Sequence, residues 1–98
     1  MANTPSHHIL VVDDDPAMRE LMVEYLEEND LRVSTAASGA EMTRILQDQV
    51  IDLVLLDLRL SGEDGMQLAR ELRSTSEIPV IIVTGKRDEA DRVMGLEI

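Results

Sequence analysis

Three features of the sequence predict an α/β fold, with a doubly wound parallel sheet covered by helices on both faces. Short apolar runs alternate with stretches of helical periodicity in the order β-α-β-α-β-α-β-α. The run at residues 51–58, "IDLVLLDL", is almost continuously apolar, as a strand buried at the centre of a parallel sheet must be. Acidic residues stand where the first and third apolar runs end.

The first run, "HILVV" at residues 8–12, predicts a strand. Asp15 can then cap a helix whose first position takes Pro16, where a missing N–H costs nothing. Met18, Leu21, Met22, Tyr25 and Leu26 share one face of that helix, and Asn29-Asp30 ends it. "LRVST" at 31–35 alternates apolar and polar residues, as a half-exposed edge strand does. Ser38 and Glu41 form an S-x-x-E capping box, and Met42, Ile45 and Leu46 mark the apolar face of the helix it opens. After the central strand, "SGEDG" at 61–65 predicts a loop. Met66, Leu68, Ala69 and Leu72 predict a third helix. Pro79 opens a fourth strand, "PVIIVT", and Ala90, Val93 and Met94 predict a fourth helix over about 87–96. A helix there leaves the fourth strand without a partner from the chain that follows it.

The 98 residues suffice for one domain. Apolar residues make up 44% and charged residues 30%, which is ordinary for a folded soluble protein. Tyr25 is the one aromatic side chain, so the core must be built from Leu, Val, Ile and Met. A net charge of −11 repels nucleic acid backbones and anionic lipid and favours cations or basic protein faces as partners. The absence of Cys excludes thiol chemistry and disulfides and fits a cytoplasmic protein. No apolar run approaches the length of a membrane span. His7 and His8 are adjacent in a strand, point to opposite faces and are read as surface residues.

Ligand sites of open α/β sheets lie at the carboxyl ends of the strands, where the strand order reverses. Asp13, Asp14 and Asp15 follow the first strand, and Asp57 closes the apolar part of the third. If those strands are neighbours, Asp13, Asp14 and Asp57 converge. Close carboxylates repel one another, and a hard divalent cation relieves the repulsion. Oxygen ligation by carboxylates suits Mg²⁺. Thr84, at the end of the fourth strand, adds a hydroxyl to the same rim, and Asp15 is read as a helix cap.

Taken together, "ILVVDDDP", "DLVLLDLRLSGEDG" and "IPVIIVTG" resemble the receiver domain of bacterial two-component response regulators. The resemblance runs from about His8 to Ile98, and "RVMGLE" at 92–97 is similar to the OmpR-type branch, whose members usually carry a winged-helix DNA-binding domain. It implies a flavodoxin-like receiver fold with strand order 2-1-3-4. It implies that Asp57 is the phosphoacceptor, that Asp13 and Asp14 hold Mg²⁺ directly or through water, and that the backbone carbonyl of Arg59 is a further metal ligand. Thr84 would bind the phosphoryl oxygens. The implied partner is a sensor histidine kinase in the cytoplasm. The implied role is control of transcription through an output domain, by a switch that is not a turnover enzyme.

The chain departs from the family in specific places. The family's fifth strand, with a Lys before a Pro, and its fifth helix are missing, and Lys86 does not match that Lys. Residues 1–98 therefore read as a receiver incomplete at its C-terminus. The usual Pro of the loop after the phosphoacceptor is replaced around Ser61-Gly62, and Gly85 stands where Ala commonly follows the switch hydroxyl. An uncovered edge at the fourth strand, and an uncovered sheet face where the fifth helix would lie, predict a homodimer, swapped or joined through that edge. Three alternatives stand beside this reading. A haloacid-dehalogenase-type phosphatase also uses a strand-end Asp with Mg²⁺, but wants an acid where Arg59 stands. A nucleotide-binding module wants a Gly-rich loop after the first strand, and here that loop is acidic. A signalling-impaired receiver would serve only as an interaction module.

Overall fold

The computed structural model describes residues 6–83 and 96–97. Within them the chain forms β1 (His8–Val12), α1 (Pro16–Glu28), β2 (Arg32–Ala36), α2 (Gly39–Asp48), β3 (Leu53–Asp57), β4 (Arg59–Leu60), β5 (Glu63–Asp64), α3 (Gly65–Thr75), β6 (Val80–Val83) and β7 (Leu96–Glu97). The main sheet runs β2-β1-β3-β6-β7. The β1–β2, β1–β3 and β3–β6 ladders are parallel, so the predicted order 2-1-3-4 holds, with β6 as the fourth predicted strand. The chain leaves β1 to build β2 on one side and then β3 on the other, so the switch in strand order lies between β1 and β3.

The caps explain why the helices start where they do. Asp15 accepts the N–H groups of Ala17 and Met18 in front of Pro16. Ser38 accepts the Glu41 N–H, while Glu41 reaches back to the Ala37 N–H at 2.7 Å, one residue earlier than the reciprocal bond of a standard capping box. Asp64 caps α3 through the N–H groups of Met66 and Gln67.

Packing divides between the two faces of the sheet. Leu10, Val12, Val54, Leu56, Val80 and Ile82 meet Met42, Ala69 and Leu72 from α2 and α3 in one continuous core. Burying such side chains contributes about 1.5–3 kcal/mol each. On the opposite face α1 packs against β1 and β2 but has no buried residue. Leu21 is 57% and Tyr25 64% exposed. The predicted apolar stripe of α1 is therefore present, but it is mostly uncovered. Leu55 and Ile81 are half-buried there, and Val83 is exposed, so this face of the sheet is the one predicted to lack cover.

Several expectations need correction. The predicted loop at 61–65 contains half of an antiparallel hairpin, β4–β5, turning at Ser61-Gly62. Gly62 has φ of 71°, a left-handed conformation that suits glycine. His8 is buried rather than at the surface, because β1 is covered on both faces, and its Nε2 lies 2.8 Å from the Ser34 hydroxyl. The predicted fourth helix falls largely on residues 84–95, outside the described residues. At Leu96–Glu97 the chain is strand, pairing antiparallel with Ile81 and Ile82, so the outer edge of β6 is not bare. The unpaired backbone groups of an edge strand favour such a partner over the last turn of a short helix. Among the described residues, no helix is long and apolar enough to cross a membrane.

Candidate functional site

The register of the sheet brings the acidic residues together. Val12 pairs with Leu56, so the next residues along the two parallel strands, Asp13 and Asp57, emerge side by side at the switch point. Asp14 follows Asp13 in the β1–α1 connection. One carboxylate oxygen from each of Asp13, Asp14 and Asp57 lies within 4.8 Å of the other two. The convergence predicted from the sequence is thus present, and Asp15 serves as the α1 cap. Arg59 reaches the cluster through its backbone N–H, which donates to Asp57 Oδ1 at 3.0 Å. Thr84 lies outside the described residues; β6 ends beside the cluster at Val83, which pairs with Asp57.

Each carboxylate is held by a backbone donor. Asp13 Oδ1 accepts the Asp15 N–H at 2.9 Å, and Asp14 Oδ2 accepts the Ser61 N–H at 2.8 Å. The environments differ in their effect. Burial pushes the Asp13 carboxyl up to about 6; the negative charges of Asp57 and Asp14 add to this, and the Asp15 N–H opposes it. The hydroxyl and then the N–H of Ser61 hold Asp14 below the usual carboxylate range. Three carboxylates this close favour a cation between them, and the all-oxygen, all-carboxylate donor set fits Mg²⁺. Beside the cluster, a cleft of about 110 Å³ is lined by Val11, Met18, Met22, Leu55 and Val83.

Four further residues support the site without having been singled out in the sequence. Arg19 Nη1 donates to the Asp13 carbonyl at 2.8 Å, tying α1 to the β1 terminus. Ser61 bonds Asp14 from 47 residues away. Glu63 Oε1 accepts the Gly39 N–H at 2.9 Å and joins the hairpin to the start of α2. Gly65 lets α3 begin against the strand that carries Asp57: a Cβ there would lie 2.6 Å from Leu58 Cα and 2.8 Å from the Asp57 carbonyl oxygen. A Gly directly after the capping Asp64 was a usable signal for that close approach; the Ser61 and Glu63 contacts join segments 47 and 24 residues apart and leave no local pattern.

The chain is similar to known proteins of one family. The family model described as the response regulator receiver domain matches residues 9–98. The regulatory protein VirG of Agrobacterium fabrum is 43% identical over 96% of this chain and 38% of its own length. The TorCAD operon transcriptional regulatory protein TorR of Escherichia coli K12 is 43% identical over 93% of this chain and 40% of its own length. The transcriptional regulatory protein AruR of Pseudomonas aeruginosa is 46% identical over 99% of this chain and 41% of its own length. The chain thus spans 38–41% of the length of these curated relatives. Among solved structures, the receiver domain of TorR superposes with a TM-score of 0.77 at 42% identity, covering 88% of this chain and 72% of that one. The response regulator TrrA of Thermotoga maritima, in complex with Mg²⁺ and BeF, superposes with a TM-score of 0.78 at 34% identity, covering 87% of this chain and 75% of that one.

Proposed function

The chain belongs to the response regulator receiver domain family, and from that premise we propose that it accepts a phosphoryl group on Asp57 and passes the event on as a signal. The observation that carries this reading is the convergence of Asp13, Asp14 and Asp57 at the switch point of the sheet. Receiver domains serve signalling rather than turnover catalysis, and generally take Mg²⁺ at an acidic pocket. Here Asp13, Asp14 and Asp57 would hold that ion, with the Arg59 carbonyl as a further ligand. When bound, Mg²⁺ supplies positive charge against which a phosphoryl group can approach three carboxylates.

The chain's own residues do the rest. The Arg59 N–H fixes Asp57 Oδ1, which leaves the second carboxylate oxygen as the nucleophile. That oxygen forms the new bond to phosphorus as the bond from phosphorus to the donor breaks. The donor is a phosphohistidine of a sensor histidine kinase, whose histidine nitrogen leaves with the electron pair. Thr84 binds the oxygens of the resulting acyl phosphate. The added charge then repacks a regulatory surface, and through it controls an output that acts on transcription. Association of two copies belongs to the same reading.

Incubation with acetyl phosphate and Mg²⁺ tests the assignment. The parent forms an acyl phosphate, Asp57→Asn forms none and keeps its fold, and labelling at any other residue refutes the role of Asp57. Asp14→Ala loses Mg²⁺ binding in a calorimetric titration. Rapid turnover of the donor would support the phosphatase alternative, and absent labelling the interaction module. Arg59, exposed and two residues after Asp57, disfavours the phosphatase, which wants an acid there.

A further inference from the structure

We propose that Arg19 is a positioning residue for the cation site: its guanidinium fixes the peptide that joins Asp13 to Asp14, and so the angle between those two side chains. This rests on the reading of Asp13, Asp14 and Asp57 as the Mg²⁺ site. Two of those acids lie in the three-residue connection between β1 and α1. A connection has no ladder or helix to hold its peptide groups, so they need other partners. The Asp13 N–H donates to the Ala36 carbonyl at 3.0 Å, one step beyond the β1–β2 ladder. The Asp13 carbonyl accepts Arg19 Nη1 at 2.8 Å. That carbonyl belongs to the planar Asp13–Asp14 peptide, so holding its oxygen restricts ψ of Asp13 and φ of Asp14 together.

Arg19 is suited to this reach. Its own N–H donates to the Asp15 carbonyl at 3.0 Å, which anchors its backbone at the start of α1. The half-buried side chain runs back past the helix start to an acceptor six residues earlier. A charged donor makes the stronger kind of hydrogen bond. The same side chain has a second effect, of opposite sign. After Ser61 and the backbone, its charge also helps to hold the Asp14 carboxyl below the usual range, and a positive charge there repels Mg²⁺. Among the described residues, however, Arg19 forms no ion pair with a carboxylate. It grips the backbone and leaves the three acids to a cation.

Calorimetric titration of the chain with Mg²⁺, without phosphodonor, decides by direction. Arg19→Met keeps the stem and loses the donor, and should bind about tenfold more weakly than the parent. Arg19→Lys, which keeps a charged donor, should recover most of that loss. In labelling by acetyl phosphate, Arg19→Met should need about tenfold more Mg²⁺ for the half-maximal rate and still reach the parent's plateau, because Arg19 acts through the ion site alone. Equal or tighter binding by the Met variant overturns the positioning role and leaves the metal site standing. A Lys variant as weak as the Met variant does the same, as does a lowered plateau at an unchanged Mg²⁺ requirement. No Mg²⁺ binding by the parent overturns the metal site, and the positioning role with it. Should Arg19→Met not fold, Arg19→Gln, whose shorter side chain also loses the bond, takes its place with the same expectations.

Discussion

On one face of the sheet, Val12, Val54, Leu56, Val80 and Ile82 are closed off by α2 and α3. On the other, Val11 is buried, but Leu55 and Ile81 are half-open, Val83 is exposed, and α1 leaves Leu21 and Tyr25 to solvent. The residue types on the two faces are nearly the same, since each strand contributes Val, Leu and Ile to both. What differs is the helix above them. Composition therefore reveals which residues could form a core, and neighbouring elements determine which of them do. Asp57 belongs by its pleat to the more open face, next to Leu55, which suits the nucleophilic role proposed for it.

Paired substitutions across β3 put that contrast to the test. Leu56→Ala should lower unfolding free energy by about 3–4 kcal/mol, because its surroundings are closed and leave a cavity. Leu55→Ala should lower it by about 1 kcal/mol, and equal losses in denaturant titrations would show that the two faces are equally packed. Gly65→Ala should cost about 3 kcal/mol on the closed side, since the added Cβ meets backbone rather than a side chain that can turn away. The pH dependence sharpens the contrast at the site. Asp13 is raised to about 6, so the folded state binds its proton more tightly than the unfolded state does. With respect to this group the metal-free protein should be most stable below about pH 4, and should lose about 1–2 kcal/mol as pH rises through 6 to 7. Thermal melts in chelator should show the loss, and Mg²⁺ should reverse it. The smallest effect belongs to the open face: Leu21→Gln should change stability by less than about 0.5 kcal/mol.

Much of this architecture was legible before any coordinates. The periods of β1, α1, α2, β3 and α3, the Asp15 and Ser38 caps, and the placing of Asp13 and Asp57 at strand ends are local patterns, and each matches the structure. The hairpin was not legible, because two-residue strands have no period to detect. The contacts of Ser61 with Asp14 and of Glu63 with Gly39 join segments 47 and 24 residues apart, which no local pattern encodes. The burial of His8 was misread for a related reason: adjacent residues point to opposite faces, but β1 has cover on both. The exposure of Leu21 and Tyr25 depends on what lies over α1, and the helical stripe alone cannot report it.

The double cover of β1 has a consequence for the timing of the molecule's fluctuations. Its residues are buried along their whole length and its backbone is paired with β2 and β3, so its amides exchange with solvent only when the whole domain opens. The β4–β5 hairpin, two residues per strand with exposed turn residues, opens by local fluctuation. Asp13 extends from the most covered strand, expected to open last, while Ser61 approaches from a short hairpin with exposed turn residues, expected to open sooner. The acidic cluster therefore joins a clock of rare events to a clock of frequent ones, and the Asp14–Ser61 hydrogen bond is where the two are coupled.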